Sequence, residues 1–110
     1  MATESFPPFY RDDHGYPRAP LLGRLEPLGI FLEQDVQSSA TYCRELIDLA
    51  TAIEDRRVSH GERTGNAYVL TATHGEFFLQ NLYDEDESVL RIGPDDFRRA
   101  RVAWLALIGG

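Results

Sequence analysis

Lysine is absent from this chain of 110 residues, and cysteine, methionine and tryptophan occur once each. A single cysteine, Cys43, excludes an internal disulfide framework and is typical of proteins from a reducing compartment. No apolar run approaches the roughly 20 residues that a membrane-spanning helix needs, so we expect no membrane association. Residues 1–8 contain no basic region followed by an apolar core, which predicts that a secretory signal is absent and that the protein is cytoplasmic.

Positive charge is also scarce. The chain has 18 acidic and 11 basic residues, all of the basic ones arginine, and its formal net charge is -7. Nucleic-acid binding depends on clustered positive charge that neutralises phosphates, and an acidic surface repels a polyanion. We therefore expect no nucleic-acid partner, and a basic protein is the more natural one.

The length and the apolar content are those of one ordinary domain. The composition is 43% hydrophobic and 11% aromatic, enough for a single packed core, while 110 residues are too few for two. We predict a flexible N-terminal tail at residues 1–8 and a single α+β domain at residues 9–110.

The strongest local pattern is a β-hairpin within residues 63–83. Two β-rich runs meet at His74-Gly75, and Gly75 tolerates the positive φ that a tight turn requires. Before this turn, Tyr68 and Leu70 alternate with Val69, so apolar side chains point to both faces of the strand. This pattern predicts a hairpin at the centre of an antiparallel sheet.

The N-terminal third is less regular. Asp12-Asp13-His14-Gly15 is turn chemistry between two short extended runs, which predicts a first hairpin at residues 9–20. Residues 21–37 are apolar but are interrupted by two glycines and a proline. We expect a short strand at residues 29–32 in this segment rather than a long helix.

Two helices are predicted in the rest of the chain. Ser38 and Ser39 can cap a helix that runs to about Arg57 and ends at His60-Gly61. Its buried face, which contains Cys43 as a small core residue, is predicted to hold Cys43, Leu46, Ile47, Ala50 and Ile53.

The second helix begins at Gly93-Pro94-Asp95-Asp96, after a short strand at residues 89–92. Its buried stripe is predicted to hold Phe97, Ala100, Trp104, Leu107 and Ile108, with Arg98, Arg99 and Arg101 on the other faces. The expected fold is α+β, an antiparallel sheet with a central hairpin that is packed on one face by the two helices.

No catalytic or metal-binding set is evident. His14, His60 and His74 each stand beside a glycine in a predicted turn, and no cysteine or aspartate lies at ligand spacing beside them. No serine lies in a Gly-x-Ser-x-Gly elbow, and no glycine-rich phosphate loop precedes a helix. The aromatic residues are predicted to lie in the core, because the basic residues that accompany a base-stacking surface are missing; they are Phe77, Phe78, Tyr83, Phe97 and Trp104. We therefore predict no catalytic residue, no metal and no cofactor.

The densest charge run is an acidic loop after the hairpin. Four consecutive carboxylates raise the local negative potential and attract partners rich in arginine or lysine. The run lacks the alternating ligands and central glycine of an EF-hand, so a solvated loop is favoured over a calcium site. The residues predicted to bind a partner are Asp84, Glu85, Asp86, Glu87 and, on a strand beside the turn, Glu76.

Several short motifs follow one another in a recognisable order. They are an early Tyr10-Arg11-Asp12 run with Gly15, then Gly65-x-x-Tyr68, a strand with Glu76 and Asn81, an acidic loop, and Asp96-Phe97 opening the last helix. This order resembles the YacL family of small uncharacterised bacterial proteins, over most of the chain from about residue 10 and best at residues 63–104. The resemblance implies a single acidic α+β domain of the bacterial cytoplasm and carries over no catalytic residue. The chain departs from the family in its Pro-rich N-terminus and at residues 21–29.

These observations favour a non-enzymatic acidic binding protein, such as an inhibitor or an immunity protein that neutralises a basic partner of the nuclease-toxin type. One alternative is a small ligand-binding or enzymatic domain whose site combines residues distant in sequence, with Glu76, Asn81, Arg63 and His60 as the polar groups of interest. A second alternative is a homodimer that acts as a structural subunit.

Overall fold

The computed structural model describes residues 7–109, which form an α+β fold with three α-helices, a four-stranded antiparallel sheet and a two-stranded hairpin sheet. Most of the tail predicted at residues 1–8 lies outside the described residues. The elements in chain order are β1 (Tyr10–Arg11), β2 (Pro17–Arg18), α1 (Glu26–Phe31), α2 (Ala40–Glu54), β3 (His60–Thr64), β4 (Tyr68–Thr73), β5 (Glu76–Asn81), β6 (Leu90–Ile92) and α3 (Pro94–Ile108).

The predicted hairpin forms the centre of the main sheet, whose strand order is β3-β4-β5-β6. Leu70 lies opposite Leu79, so apolar side chains of both central strands share one buried face. At the turn only Gly75 has a positive φ, at +98°, and the Thr73 hydroxyl donates a hydrogen bond of 2.9 Å to the carbonyl oxygen of Glu76. The central position and the turn are both confirmed.

Helices α2 and α3 cover the same face of the sheet and pack against each other. The ring of Phe97 in α3 stacks on that of Phe77 in β5, with ring centroids 4.4 Å apart. At the β3 edge of the sheet, Leu49 of α2 lies against Gly61. These contacts confirm the predicted α+β fold, an antiparallel sheet with a central hairpin that is packed by two helices.

The start of α2 was predicted correctly, but its end was not. The Ser39 hydroxyl accepts a hydrogen bond of 3.1 Å from the backbone N–H of Tyr42, as an N-cap residue should. The helix stops at Glu54, where Arg56 turns the chain with a φ of +60°. His60 and Gly61, predicted to end the helix, instead belong to β3, a polar strand without the apolar alternation that would have predicted it.

Residues 23–36 are helical throughout, so the strand predicted at residues 29–32 is wrong. A 3₁₀ turn at Gly23–Leu25 leads into α1, and a π-helical turn follows at Leu32–Val36. Pro27 lies in the first turn of α1, where its missing N–H costs nothing. Gly29 is needed because a Cβ there would lie 2.5 Å from the carbonyl oxygen of Ala19. The residues that interrupt the sequence pattern thus start this helix and allow its close packing.

The core combines residues from both helices and the sheet, with Cys43 fully buried as predicted. Arg101 is also buried, at 5% exposure, and its predicted outward position is therefore wrong. Its guanidinium carbon lies 5.7 Å from the centre of the Phe97 ring, where a cation can be stabilised by an aromatic face. Within residues 7–109, no helix is both long and apolar enough to cross a bilayer.

Candidate functional site

The connection from β5 to β6 carries exposed acidic and apolar side chains. We call residues 82–89 the acidic–aromatic loop, because its four carboxylates are flanked by exposed apolar side chains. Tyr83 is 83% exposed, and Leu82 and Val89 are exposed as well. The loop therefore combines an exposed aromatic side chain with a run of carboxylates.

Local hydrogen bonds fix the backbone of this loop. The Asn81 carbonyl oxygen Oδ1 accepts from the backbone N–H groups of Tyr83, at 2.8 Å, and of Asp84, at 3.1 Å. Oδ1 of Asp84 in turn accepts from the N–H of Asp86 at 3.0 Å, and the Asp84 carbonyl oxygen accepts from the N–H of Glu87 at 3.2 Å. Side chains of asparagine and aspartate therefore hold Tyr83 and the carboxylates in a defined turn.

The four carboxylates differ in how much solvent they meet. Asp84, Glu85 and Asp86 are exposed, while Glu87 is half-buried. Within the described residues, none of the four forms an ion pair, and the ion pairs that do form involve Arg18, Arg57, Arg98 and Arg99. Because none of the four is paired with an arginine in the described part of the chain, the loop keeps its negative potential.

Glu87 has a contact inside the molecule. The fully buried Tyr68 lies beneath the loop, and its hydroxyl interacts with the side chains of Glu87 and Asn81. Burial is the main cause that raises the pKa of Tyr68 to about 12, and the Glu87 carboxylate raises it further. Glu87 is therefore a predicted partner-binding residue that also interacts with a core side chain.

Glu76 lies away from the other predicted partner-binding residues. It begins β5, and the acidic–aromatic loop follows Asn81 at the other end of that strand. Five steps along a β-strand span roughly 17 Å. The structure thus brings together Asp84, Glu85, Asp86 and Glu87, and separates Glu76 from them.

The four polar groups considered for a small-molecule site do not converge. Strand register places His60 and Glu76 on the open face of the sheet, where both lie beside Thr73. Arg63 and Asn81 occupy the opposite, helix-covered face. In addition, residues 7–109 contain no cluster of three or more histidine, cysteine or acidic side chains that could hold a metal ion.

One carboxylate that sequence reasoning missed is built into the fold. Asp35 is 9% exposed and accepts hydrogen bonds from the backbone N–H groups of Ala67, at 2.8 Å, and of Tyr68, at 3.0 Å. Burial raises the pKa of the Asp35 carboxyl, and the N–H donors oppose that rise. A Cβ on Gly65 would collide with Oδ2 of Asp35, which explains the glycine three residues before Tyr68.

The only cysteine is not a nucleophile in this setting. The Cys43 thiol is fully buried and donates a 3.6 Å hydrogen bond to the carbonyl oxygen of Arg101. Burial raises the pKa of this thiol, which disfavours the reactive thiolate. Cys43 therefore serves packing, as the sequence predicted.

No family model, no curated protein and no solved structure matches the chain. The resemblance to the YacL family therefore stays a prediction based on the quoted motifs.

Proposed function

We propose that the protein is a non-enzymatic binding protein whose acidic–aromatic loop docks onto a basic protein. The observation that carries the proposal is the exposed side chain of Tyr83, which directly precedes four carboxylates. None of these carboxylates forms an ion pair among the described residues. Tyrosine supplies a large contact area at low entropic cost, while carboxylates steer a positively charged partner and fix its orientation.

A partner of suitable chemistry has a concave surface lined by arginine and lysine. The phosphate-binding groove of a nuclease is such a surface, and Glu85 and Asp86 would occupy it in place of phosphate groups. An inhibitor or immunity protein acts in this way, and the net charge of -7 supports fast association with a cationic target. This proposal requires no catalytic group on the chain.

The proposal can be tested by capture from a lysate of the host with the immobilised full chain as bait. The loop variant carries Tyr83→Ala, Glu85→Gln and Asp86→Asn, which remove the aromatic anchor and two exposed charges. We expect the wild-type chain to retain a basic protein and the loop variant to lose it. Binding should also weaken steeply with added salt, because exposed charges are screened.

The chain offers a control matched in residue type. Tyr10→Ala with Glu45→Gln and Asp48→Asn changes the same kinds of exposed side chain, and the same net charge, away from the loop. This control should retain the partner. Capture of no basic protein, or equal capture by the loop variant and the wild-type chain, would contradict the proposal.

A further inference from the structure

A cleft of about 470 Å³ lies between the N-terminal hairpin and the end of the helical residues 23–36. Sites for small molecules typically have volumes of about 300–1,000 Å³. None of its lining residues belongs to the acidic–aromatic loop, so a ligand there would be independent of the proposed partner. The lining residues are Tyr16, Pro17, Arg18, Glu33, Gln34, Gln37 and Ser38.

The two charged side chains that line this cleft, Arg18 and Glu33, pair with each other. Nη2 of Arg18 lies 3.3 Å from Oε1 of Glu33, and Nη1 of the same arginine lies 3.8 Å from a carboxylate oxygen of Asp12. The other oxygen of Glu33 accepts a 2.8 Å hydrogen bond from the backbone N–H of Ala19. An anionic ligand would have to displace Glu33 from Arg18, and a cationic ligand would meet a carboxylate that is already paired. The cleft therefore favours a neutral ligand.

Neutral hydrogen-bonding groups remain available around this ion pair. Among residues 7–109, no hydrogen bond engages the side-chain amide of Gln34 or the hydroxyl of Ser38. The side-chain amide nitrogen of Gln37 donates to the backbone carbonyl oxygen of Gln34 at 2.6 Å, which leaves its own carbonyl oxygen as an acceptor. Side-chain donors and acceptors of this kind match the hydroxyl groups of a polyol.

An aromatic ring stands at the edge of the same cleft. Tyr16 is 66% exposed, and its backbone is held because its N–H donates to Oδ1 of Asp12 at 3.0 Å and its carbonyl oxygen accepts from the N–H of Asp12 at 2.9 Å. An exposed ring on a fixed backbone can pack against the C–H face of a sugar, while the amides and the hydroxyl bind its rim.

The backbone of Gln37 is in a strained conformation in this cleft. Its φ is +52° and its ψ is -135°, a combination that normally requires glycine. The carbonyl oxygen of Gln37 accepts a 2.7 Å hydrogen bond from the indole N–H of Trp104, and its N–H donates to the carbonyl oxygen of Leu32 at 2.8 Å. The core thus imposes the strain, and both such strain and the preceding π-helical turn are frequent at functional sites.

We propose that this cleft binds a neutral polyhydroxylated ligand, a mono- or disaccharide, through Tyr16, Gln34, Gln37 and Ser38. The test is an NMR titration of the ¹⁵N-labelled full chain with D-glucose, N-acetylglucosamine and maltose. Saturable shifts are expected at the side-chain amides of Gln34 and Gln37 and at the backbone N–H of Ser38. Tyr16→Ala should weaken the affinity roughly tenfold, equivalent to about 1.4 kcal/mol.

Tyr10→Ala is the matched control, because Tyr10 is an exposed tyrosine of the same hairpin that does not line the cleft. It should leave the affinity unchanged, and the spectra of both variants report directly on their folding. The proposal is overturned if none of the three sugars gives saturable shifts in the cleft, if both tyrosine variants behave alike, or if acetate or phosphate shifts the same signals at lower concentration than the sugars.

Discussion

Asp35 and the carboxylates of the acidic–aromatic loop are the same chemical groups in opposite surroundings. Asp35 is buried and accepts hydrogen bonds from two backbone N–H groups of the β3–β4 turn. Glu85 and Asp86 are exposed and have no ion-pair partner in residues 7–109. The comparison separates two roles of an acidic side chain. Asp35 organises a turn inside the fold, whereas Glu85 and Asp86 face solvent.

Tyr68 connects these two regions. Its backbone N–H donates to Asp35, and its hydroxyl interacts with Glu87 at the base of the loop. The side chain itself is 1% exposed. Changes at the buried carboxylate should therefore alter the stability of the whole domain, whereas changes at exposed carboxylates should leave the stability unaltered and act only on binding.

The largest effect is expected for Asp35→Ala. This change leaves the buried N–H of Tyr68 and the half-buried N–H of Ala67 without their acceptor, and a buried donor without a partner costs about 1–3 kcal/mol. Removing a buried charge offsets part of that cost, so the free energy of unfolding should fall by about 3 kcal/mol. Urea denaturation at neutral pH measures this. A loss no larger than that of an average surface substitution would show that the turn does not depend on Asp35.

The next effect is a loss of stability at alkaline pH. The unfolded chain ionises Tyr68 at its ordinary pKa of 10, whereas the folded state keeps the proton until about 12. Between these values the unfolded state binds fewer protons, so stability falls as pH rises, by about 2–3 kcal/mol in total. Comparing the pH dependence of urea denaturation in the wild-type chain and in Tyr68→Phe measures the contribution of Tyr68 ionisation to the free energy of unfolding. Identical slopes above pH 10 would contradict it.

Gly65→Ala should cost about 2 kcal/mol, because the new Cβ collides with the anchored Asp35 carboxylate. Gly93→Ala is a control, since a Cβ at Gly93 meets no atom within 4 Å and its φ is -70°. The double variant Asp35→Ala, Gly65→Ala should cost less than the sum of the two single variants, because the collision with the carboxylate is then absent and only the contact with the Cβ of residue 35, at 2.8 Å, remains. Full additivity in thermal or urea denaturation would argue against direct contact as the cause.

A smaller effect is expected for Asn81→Ala, at about 1 kcal/mol. The side chain accepts from the N–H groups of Tyr83 and Asp84, but both donors are exposed and can bind water instead. The main consequence should be local, with faster amide hydrogen exchange in residues 82–89 than elsewhere. Unchanged exchange in the loop would show that Asn81 does not hold it.

The smallest effect on stability belongs to the double variant Glu85→Gln, Asp86→Asn. Surface substitutions away from special features change the free energy of unfolding by less than about 0.5 kcal/mol. The variant should therefore denature like the wild-type chain while it loses the basic partner in the capture experiment. A marked loss of stability would mean that these carboxylates act on the fold, as Asp35 does.

Much of this architecture was predictable, because it depends on short-range patterns. The turn at Gly75, the Ser39 cap and the start of α3 at Pro94 each follow from residues that are close in sequence. The acidic run was evident for the same reason. The sequence predicted Tyr83 to lie in the core, which is wrong, and it did not predict the interaction between Glu87 and Tyr68, since both depend on how the loop folds back onto the core.

The errors share one physical cause, which is that a partner distant in sequence decided the outcome. Residues 23–36 became helical although glycine and proline interrupt them, because Gly29 packs against the chain at Ala19. Arg101 became buried because α2 packs against it, and Cys43 of that helix, 58 residues earlier, donates a hydrogen bond to its carbonyl oxygen. The polar strand β3 formed because β4 supplied its hydrogen-bond partners.

The sequence by itself determined the fold class, the central hairpin, the two long helices and the excess of negative charge, since propensity, periodicity and composition are local properties of the chain. Only the tertiary structure decided which carboxylates are buried and which are exposed. It placed Asp35 against a turn more than 30 residues away, separated Glu76 from the acidic–aromatic loop, and formed the cleft beside Gln37. Burial and distance arise only when separate elements pack together, and they determine whether a charged side chain stabilises the fold or remains available to a partner.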